Sequence, residues 1–181
     1  MIIDRAVSSD VEQVLAMRSE AAAWLRRLGT DQWSVEPDGF RTHVLAGIEA
    51  GETWMLREGS ETVATITIDS RPDPLLWTAD EQAESASYLK RLIVRRSHAG
   101  CGLGAQLLKW GLDRSANIGV SWYRCDVWTT NIALQDYYRR LGFTLVRAIA
   151  RDDLPSSALF QRRPLEAAHP IFANRDDDHR V

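Results

Sequence analysis

Two hydrophobic rhythms alternate along this chain, and the points where one gives way to the other define its elements. "MIIDRAV" is a short apolar run suited to a strand, and "SSDVEQVLAMRSEAAAWLRRLG" then sets Val11, Val14, Leu15, Ala22 and Leu25 at helical spacing. Ser8 or Ser9 is the expected N-cap and Gly29 the stop. Pro37 and Gly39 interrupt the pattern before Phe40, Val44, Leu45 and Ile48 restore it as a second, shorter helix ending at Gly51. "ETWMLREGSETVATITIDS" holds two β-rich runs around Glu58-Gly59-Ser60, which predicts a tight hairpin. "RPDPLLWTADEQAE" has no sustained period and reads as a loop long enough to cover something.

A strand with an unbroken apolar end, "SASYLKRLIV", runs into "RRSHAGCGLG" and then the helix "GAQLLKWGLDRSANIG", with Leu107, Leu108, Leu112 and Ala116 on one face. Gly119 closes that helix, and "VSWYRCDVWT" follows as a strand. Asn131 can cap the next helix, "NIALQDYYRRLG", which Gly142 ends. "FTLVRAIARDD" and "SSALFQRR" predict two last strands around a polar turn. The element order points to an α/β fold whose mixed sheet begins with consecutive antiparallel strands and passes into βαβ crossovers. Residues 1–163 form one domain on this reading, and 164–181, where periodicity is lost, are expected to be a flexible C-terminal tail.

Composition acts mainly by exclusion. At 181 residues, with 45% hydrophobic and 26% charged residues, the chain can bury one sizeable core. No stretch approaches the ~18–20 apolar residues of a membrane span, and the acidic start lacks a secretory pattern, so a cytoplasmic address and no membrane partner are expected. The net charge of −3 argues against a nucleic-acid partner. Cys101 and Cys125 lack the paired spacings of a zinc site or redox dithiol, so no metal is expected.

The glycine turn carries the chemistry. Gly100, Gly102 and Gly104 miss the Rossmann GxGxxG register, and no GxxxxGK follows, so neither a dinucleotide nor a nucleotide turn is present. What remains is a strand-to-helix bend whose backbone N–H groups can converge on an anion at the positive end of a helix, a pyrophosphate cradle. "AGCGLG", residues 99 to 104, resembles the (Arg/Gln)xxGxG(Gly/Ala) motif of the GNAT superfamily of acyl-CoA-dependent N-acyltransferases, with Ala99 where Arg or Gln is usual. "NIALQDYYRRLGF" is similar to that family's NxxAxxxYxxxGF segment, with Asn131, Tyr138, Gly142 and Phe143 in register and Leu134 in place of Ala. "IIDRAVSSDVEQVL" is similar to its first strand and helix.

The resemblance implies a GNAT fold, a mixed sheet of antiparallel N-terminal strands with a splayed parallel pair at its centre, flanked by helices. It implies an N-acetyltransferase that moves an acetyl group from acetyl-CoA, its cosubstrate, to a primary amine by direct transfer in a ternary complex. The pantetheine and thioester oxygen would lie on the main chain of Leu92, Ile93 and Val94. Ala99, Gly100, Cys101, Gly102, Leu103, Gly104 and Ala105 would cradle the pyrophosphate, helped by Arg95 or Arg96. Tyr138 would be the general acid that protonates the leaving thiolate, since Tyr137 points about 100° away on a helix. Asn131 would bond the pantetheine arm or serve as an N-cap.

The general base is open between Glu84 and Asp126, carboxylates on elements flanking the expected amine site, with His43 and His98 also capable of the chemistry. Cys101 at a helix N-terminus could act as a nucleophile instead, giving a ping-pong enzyme. Trp33 and Trp77, with Asp31, Asp73, Asp80 and Glu81, would wall a pocket suited to a small cationic amine. A longer acyl-CoA, a protein amine acceptor and a non-catalytic acyl-CoA-binding module are the alternatives, and a homodimer is compatible with the sequence.

Overall fold

The computed structural model describes residues 1–34, 38–149, 151 and 153–174. An eight-stranded sheet runs through the protein in the order β6-β7-β5-β4-β3-β2-β1-β8, built from β1 (Ile2–Arg5), β2 (Thr53–Glu58), β3 (Glu61–Asp69), β4 (Ala86–Val94), β5 (Trp122–Trp128), β6 (Thr144–Ala148), β7 (Ser156–Arg162) and β8 (Ala173–Asn174). Strands β1 to β4 are antiparallel neighbours, and β4 and β5 form a parallel pair joined through helix α4 (Leu103–Asn117), as the order of apolar runs predicted.

The two faces carry separate cores. On one face α4 and α5 (Ile132–Arg140) bury Leu107, Leu108, Leu112 and Tyr138 against Trp54, Leu56, Ile66, Tyr123, Cys125 and Phe160. On the other, α1 (Val11–Arg27) and α2 (Phe40–Glu49) pack Val14, Val44 and Ile48 on Met55, and Met17 and Ala21 on Ile93. Alternation along β5 divides its side chains the same way: Tyr123, Cys125 and Val127 join the α4/α5 core, which leaves Asp126 facing the α1/α2 side.

Three local features depart from the periodicity reading. The α1 N-cap is Asp10 rather than Ser8 or Ser9, because a 3-10 turn over Ser8–Asp10 precedes the helix. The Asp10 carboxylate accepts from the Val7 N–H at 3.0 Å and pairs with Arg57 at 2.9 Å, tying the start of α1 to β2. The expected loop before β4 contains a short helix, α3 (Ala79–Ala83), opened by a capping box in which the Thr78 N–H donates to Glu81 at 2.8 Å and the Glu81 N–H to Thr78 Oγ1 at 3.3 Å.

The third departure is at the C-terminus. The tail expected from 164 onward is laid along the body at least to Asn174: the Ala167 N–H donates to Asp113 at 2.7 Å, Phe172 is buried, and β8 pairs in parallel with β1. One aromatic and a two-residue strand suffice for docking, too short a signal for periodicity to show. Residues 175–181 lie outside the described residues.

The feature that positions the site is a wedge. The β4/β5 ladder runs from Ala86↔Trp122 to Leu89↔Cys125 and stops. Beyond it β4 stays with β3, while β5 follows β7 as far as Trp128. A bulge lies between the Thr67↔Lys90 and Thr65↔Ile93 pairs, and within it Arg91 takes a left-handed φ of 50°. A non-glycine residue there is uncommon, and it bends β4 away from β5. Among the described residues no helix is long and apolar enough to cross a membrane.

Candidate active site

The wedge exposes backbone donors. The Arg95 N–H donates to Val63 at 2.8 Å, toward β3, and successive N–H groups of a strand point to opposite edges. Leu92 and Val94 therefore turn theirs into the gap, while Ile93 spends its own on β3 and packs its side chain under α1. Of the predicted trio, two offer main-chain donors.

At the end of β4 the chain turns through Gly100 (φ 85°) and Gly102 (φ 79°), the N-cap of α4. Side chains are strained at such φ values, and an added Cβ at either glycine would meet nothing within 4 Å, so the bend presents bare backbone to open space. The helical ladder begins with the Gln106 N–H donating to Gly102 at 3.1 Å, leaving the N–H groups of Leu103, Gly104 and Ala105 without helical partners. Gly104 is packed rather than open: the Tyr137 hydroxyl stands 3.0 Å from where its Cβ would be.

The neighbouring cations are already engaged. The Arg95 guanidinium donates to Thr62 at 2.9 Å, and that of Arg96 stacks 3.7 Å from the Trp24 ring centroid. The donors that the turn itself presents are those of the backbone, with alanine rather than a polar side chain at 99. Cys101 is exposed in the same turn and has no hydrogen-bonded base among the described residues, and His98 bonds Ser97 at 2.8 Å and lies 3.5 Å from Glu58.

Asn131 opens α5 as its N-cap, its Oδ1 accepting from the Leu134 N–H at 2.9 Å while its Nδ2 donates to Gln32 at 2.5 Å. Beside it Asp31 accepts from Trp128 Nε1 at 3.1 Å and from Thr130 at 2.5 Å. The loop after α1 is thus latched to the loop before α5. This favours the capping role for Asn131, since both ends of its amide are occupied by protein.

Tyr138 and Tyr137 diverge as helical spacing requires. Tyr138 is buried with its ring edge-on to Phe143 and Tyr137, and burial pushes its phenol well above the usual value, with Cys125, Tyr123, Tyr137 and Asp126 adding to the effect. The hydroxyl stays protonated, the form a proton donor needs. Tyr137 is half-buried and reaches Gly104, with Val94 also against that position.

Asp126 stands one residue past the last β4/β5 pair, at the throat of the wedge, on the face opposite Tyr138's core. Desolvation raises its pKa from 3.8 to about 6, partly offset by the charge of Lys90 and a hydrogen bond with Ser156. A carboxylate held there is poised to take a proton near neutral pH.

Glu84 does not join it. It lies before β4, at the far end of the parallel pair, and its carboxylate binds the buried Arg124 guanidinium, which lowers its pKa. It serves as the counter-ion of a buried cation, which makes it a poor base.

Several residues of the aromatic and acidic wall expected around the acceptor have protein partners of their own. Trp77 is buried between Tyr88 and the Arg124 guanidinium, Glu81 pairs with Arg147, and Asp73 accepts from the Leu75 N–H at 2.9 Å. Trp33 is half-buried with Arg18 5.6 Å from its ring centroid. What this face does hold at the wedge is polar: Lys90 ion-paired to Asp69 at 3.1 Å, Ser156, and the guanidinium of Arg91. Only the bulge at Arg91 signals that cluster, and a sequence pattern does not show a bulge.

Comparison with known proteins agrees with this geometry. The acetyltransferase (GNAT) family profile matches residues 18–143. The uncharacterized N-acetyltransferase YesJ of Bacillus subtilis (strain 168) is 34% identical over 154 residues, which span 80% of this chain and 82% of that protein. A GNAT-family acetyltransferase from Listeria monocytogenes 4b F2365 superposes with a TM-score of 0.74 at 25% identity, over 89% of this chain and 93% of its own. The structure of yncA from Salmonella typhimurium, solved with its cofactor acetyl-CoA, shares the fold at 17% identity with a TM-score of 0.64, over 93% of this chain and 96% of its own.

Proposed function

The chain belongs to the GNAT acetyltransferase family, and from that premise we propose that it moves an acetyl group from acetyl-CoA to the primary amine of a small molecule by direct transfer, with both substrates bound at once. The observation that carries the reading is the wedge: backbone donors line its edge, a protonated phenol lies on one face of the sheet, and a carboxyl group with a pKa near 6 lies on the other.

The cofactor side fits acetyl-CoA by what it leaves bare. Gly100 and Gly102 clear the turn of side chains, and the free N–H groups of Leu103, Gly104 and Ala105 present the positive end of α4 to a pyrophosphate. The Leu92 and Val94 N–H groups can hold the pantetheine arm and the carbonyl oxygen, whose negative charge grows as the amine attacks. Acetyl-CoA supplies the activated thioester, and the rest is the work of two side chains.

Asp126 takes a proton from the ammonium group so that the nitrogen can bond to the carbonyl carbon. As the carbon–sulfur bond breaks, the Tyr138 hydroxyl gives its proton to the sulfur; the nitrogen releases its second proton to solvent, and Tyr138 recovers one from it. The state of the thiols supports direct transfer over an acyl-enzyme: Cys125 is buried with its thiol pushed up, and Cys101 has no base beside it among the described residues.

Initial rates of thiol release, measured while acetyl-CoA and an amine from a broad panel are varied together, test this. Intersecting double-reciprocal lines are expected, and parallel lines would remove direct transfer. Acetyl-CoA binding without turnover on any amine would remove the proposed reaction.

A further inference from the structure

Among the described residues, the Arg91 guanidinium on the acceptor side has no side-chain partner. Arg91 leaves the β4 bulge toward α2, and its Nη2 stands 2.9 Å from where a Cβ on Gly47 would be, close to Thr53 and Thr67 on the sheet below. Those threonines bond each other through their hydroxyls at 2.9 Å. The nearest carboxylates are engaged elsewhere: Glu52 by both Arg71 nitrogens, and Asp69 by Lys90 at 3.1 Å and by the Arg71 N–H at 3.1 Å. Arg91 itself makes no hydrogen bond or ion pair with the described residues. It is half-buried, and loss of water depresses its pKa despite the attraction of Asp69 and Glu52. A guanidinium carries five donors in a rigid fork matched to a carboxylate, and holding it desolvated without an acceptor is costly.

The pairing of the charges around it agrees. Glu52 and Asp69 face Arg71, Lys90 and Arg91, and Asp126 projects from the same face toward Lys90, so the acids here are matched with Arg71 and Lys90 while no carboxylate among the described residues pairs with Arg91. The missing side chain at Gly47 leaves the room that the guanidinium occupies.

Resting on the proposed reaction, we infer that the amine acceptor carries an anionic group, a carboxylate, which Arg91 binds while Asp126 receives the amine. Recognition of this kind belongs to an amino acid or a related amino carboxylate rather than to a polyamine or an aminoglycoside. Binding energy at Arg91 then sets the distance of the amine from the wedge, which makes Arg91 a specificity-determining residue.

The test compares matched pairs: amino acids against the amines left by removing their carboxylate, and phosphoethanolamine against ethanolamine. For each pair kcat/KM is measured on the wild type, Arg91→Met, Arg91→Lys and Gly47→Ala, whose added Cβ displaces the guanidinium while leaving it in the chain. The wild type should prefer the carboxylate-bearing member by tenfold or more. That ratio should fall by at least tenfold in Arg91→Met through KM for the acceptor, partly recover in Arg91→Lys, and fall severalfold in Gly47→Ala. Equal use of both members by the wild type, a ratio untouched in Arg91→Met and Gly47→Ala, or a preference confined to phosphate overturns the assignment. Thermal melting of each protein with each compound gives a readout independent of turnover. A carboxylate-dependent rise in Tm that is lost in Arg91→Met would uphold the anion site even where no acetyl transfer occurred, and so separates its failure from that of the proposed reaction.

Discussion

The two faces of the sheet at the wedge present different chemistry. The α4/α5 face is apolar and offers a ligand little but main chain: the Gly100–Gly104 turn, the start of α4, and the unpaired N–H groups of β4. The α1/α2 face is a mesh of side chains, with Asp126, Lys90, Asp69 and Arg91 around the throat and Asp31 and Gln32 latching a loop across to α5. Main-chain recognition needs bends that only glycine tolerates, so it is written in a few positions at fixed spacing. Side-chain recognition depends on which residues a fold brings together from distant segments, and no local spacing records it.

The largest effect should come from the carboxylate at the throat. Asp126→Asn is expected to lower kcat by about 10²–10⁴-fold, the usual contribution of a positioned base. Wild-type activity should fall on the acid side with an apparent pKa near 6, as protonation removes the base. Stability should move the opposite way. Because the folded pKa lies above the ordinary 3.8, folding favours the protonated form, and that contribution is lost as pH rises through about 6. At pH 8 the charge then costs on the order of 3 kcal/mol at ~1.4 kcal/mol per pKa unit, so Asp126→Asn should melt higher than the wild type there. A variant that melts lower at pH 8 would show that the carboxylate is not held against its solvation.

Across the sheet, Tyr138→Phe keeps the ring that packs on Phe143 and Phe160 and deletes only the hydroxyl. We expect kcat to drop by about 10²-fold with the KM for acetyl-CoA unchanged, as loss of a general acid should. An unchanged rate would transfer attention to Tyr137, whose hydroxyl lies against Gly104. Gly102→Val should act on the cofactor alone: a β-branched residue at φ 79° strains the turn, and acetyl-CoA affinity should weaken by about tenfold or more while acceptor preference stays constant. A shift in acceptor preference in that variant would break the separation of the two faces.

This division also explains what could be read from the chain beforehand. The strand and helix order and the glycine bend before α4 were legible because periodicity and glycine spacing are local signals, while the roles proposed for that bend and for Tyr138 came from the family resemblance. Asp126, the base proposed above, was one of two carboxylates that the sequence offered. Its rival Glu84 fell away because Arg124, forty residues later in the chain, claims it as counter-ion. The partners of the expected acceptor wall were hidden for the same reason, since Trp77, Glu81 and Asp31 are held by residues of β5, β6 or the loop before α5. Arg91 follows Lys90 just before the apolar end of β4 and lies in a bulge there, a change in register that spacing does not carry.

The smallest expected effect tests how the acceptor face is roofed. Arg147 on β6 donates to both oxygens of Glu81 at 2.7 and 2.6 Å and to the Leu76 carbonyl at 2.6 Å, fastening α3 and the buried Trp77 over the β4/β5/β7 surface. The hydrogen bonds from Arg147 bring the Glu81 pKa down to about 2, so the pair's stabilisation is present above the ordinary carboxylate range near 4.5 and is lost as pH falls toward 2. Water still reaches both groups, and screening limits the pair to about 1 kcal/mol. Arg147→Ala should therefore lower Tm by a few degrees at pH 7, and the difference from wild type should shrink below the ordinary carboxylate range and vanish only as pH falls through about 2. A loosened roof over this face alone should raise the KM for the acceptor by two- to fivefold and leave that for acetyl-CoA as it was. Equal rises in both would mean that the two faces are mechanically one, with α3 bracing the wedge itself.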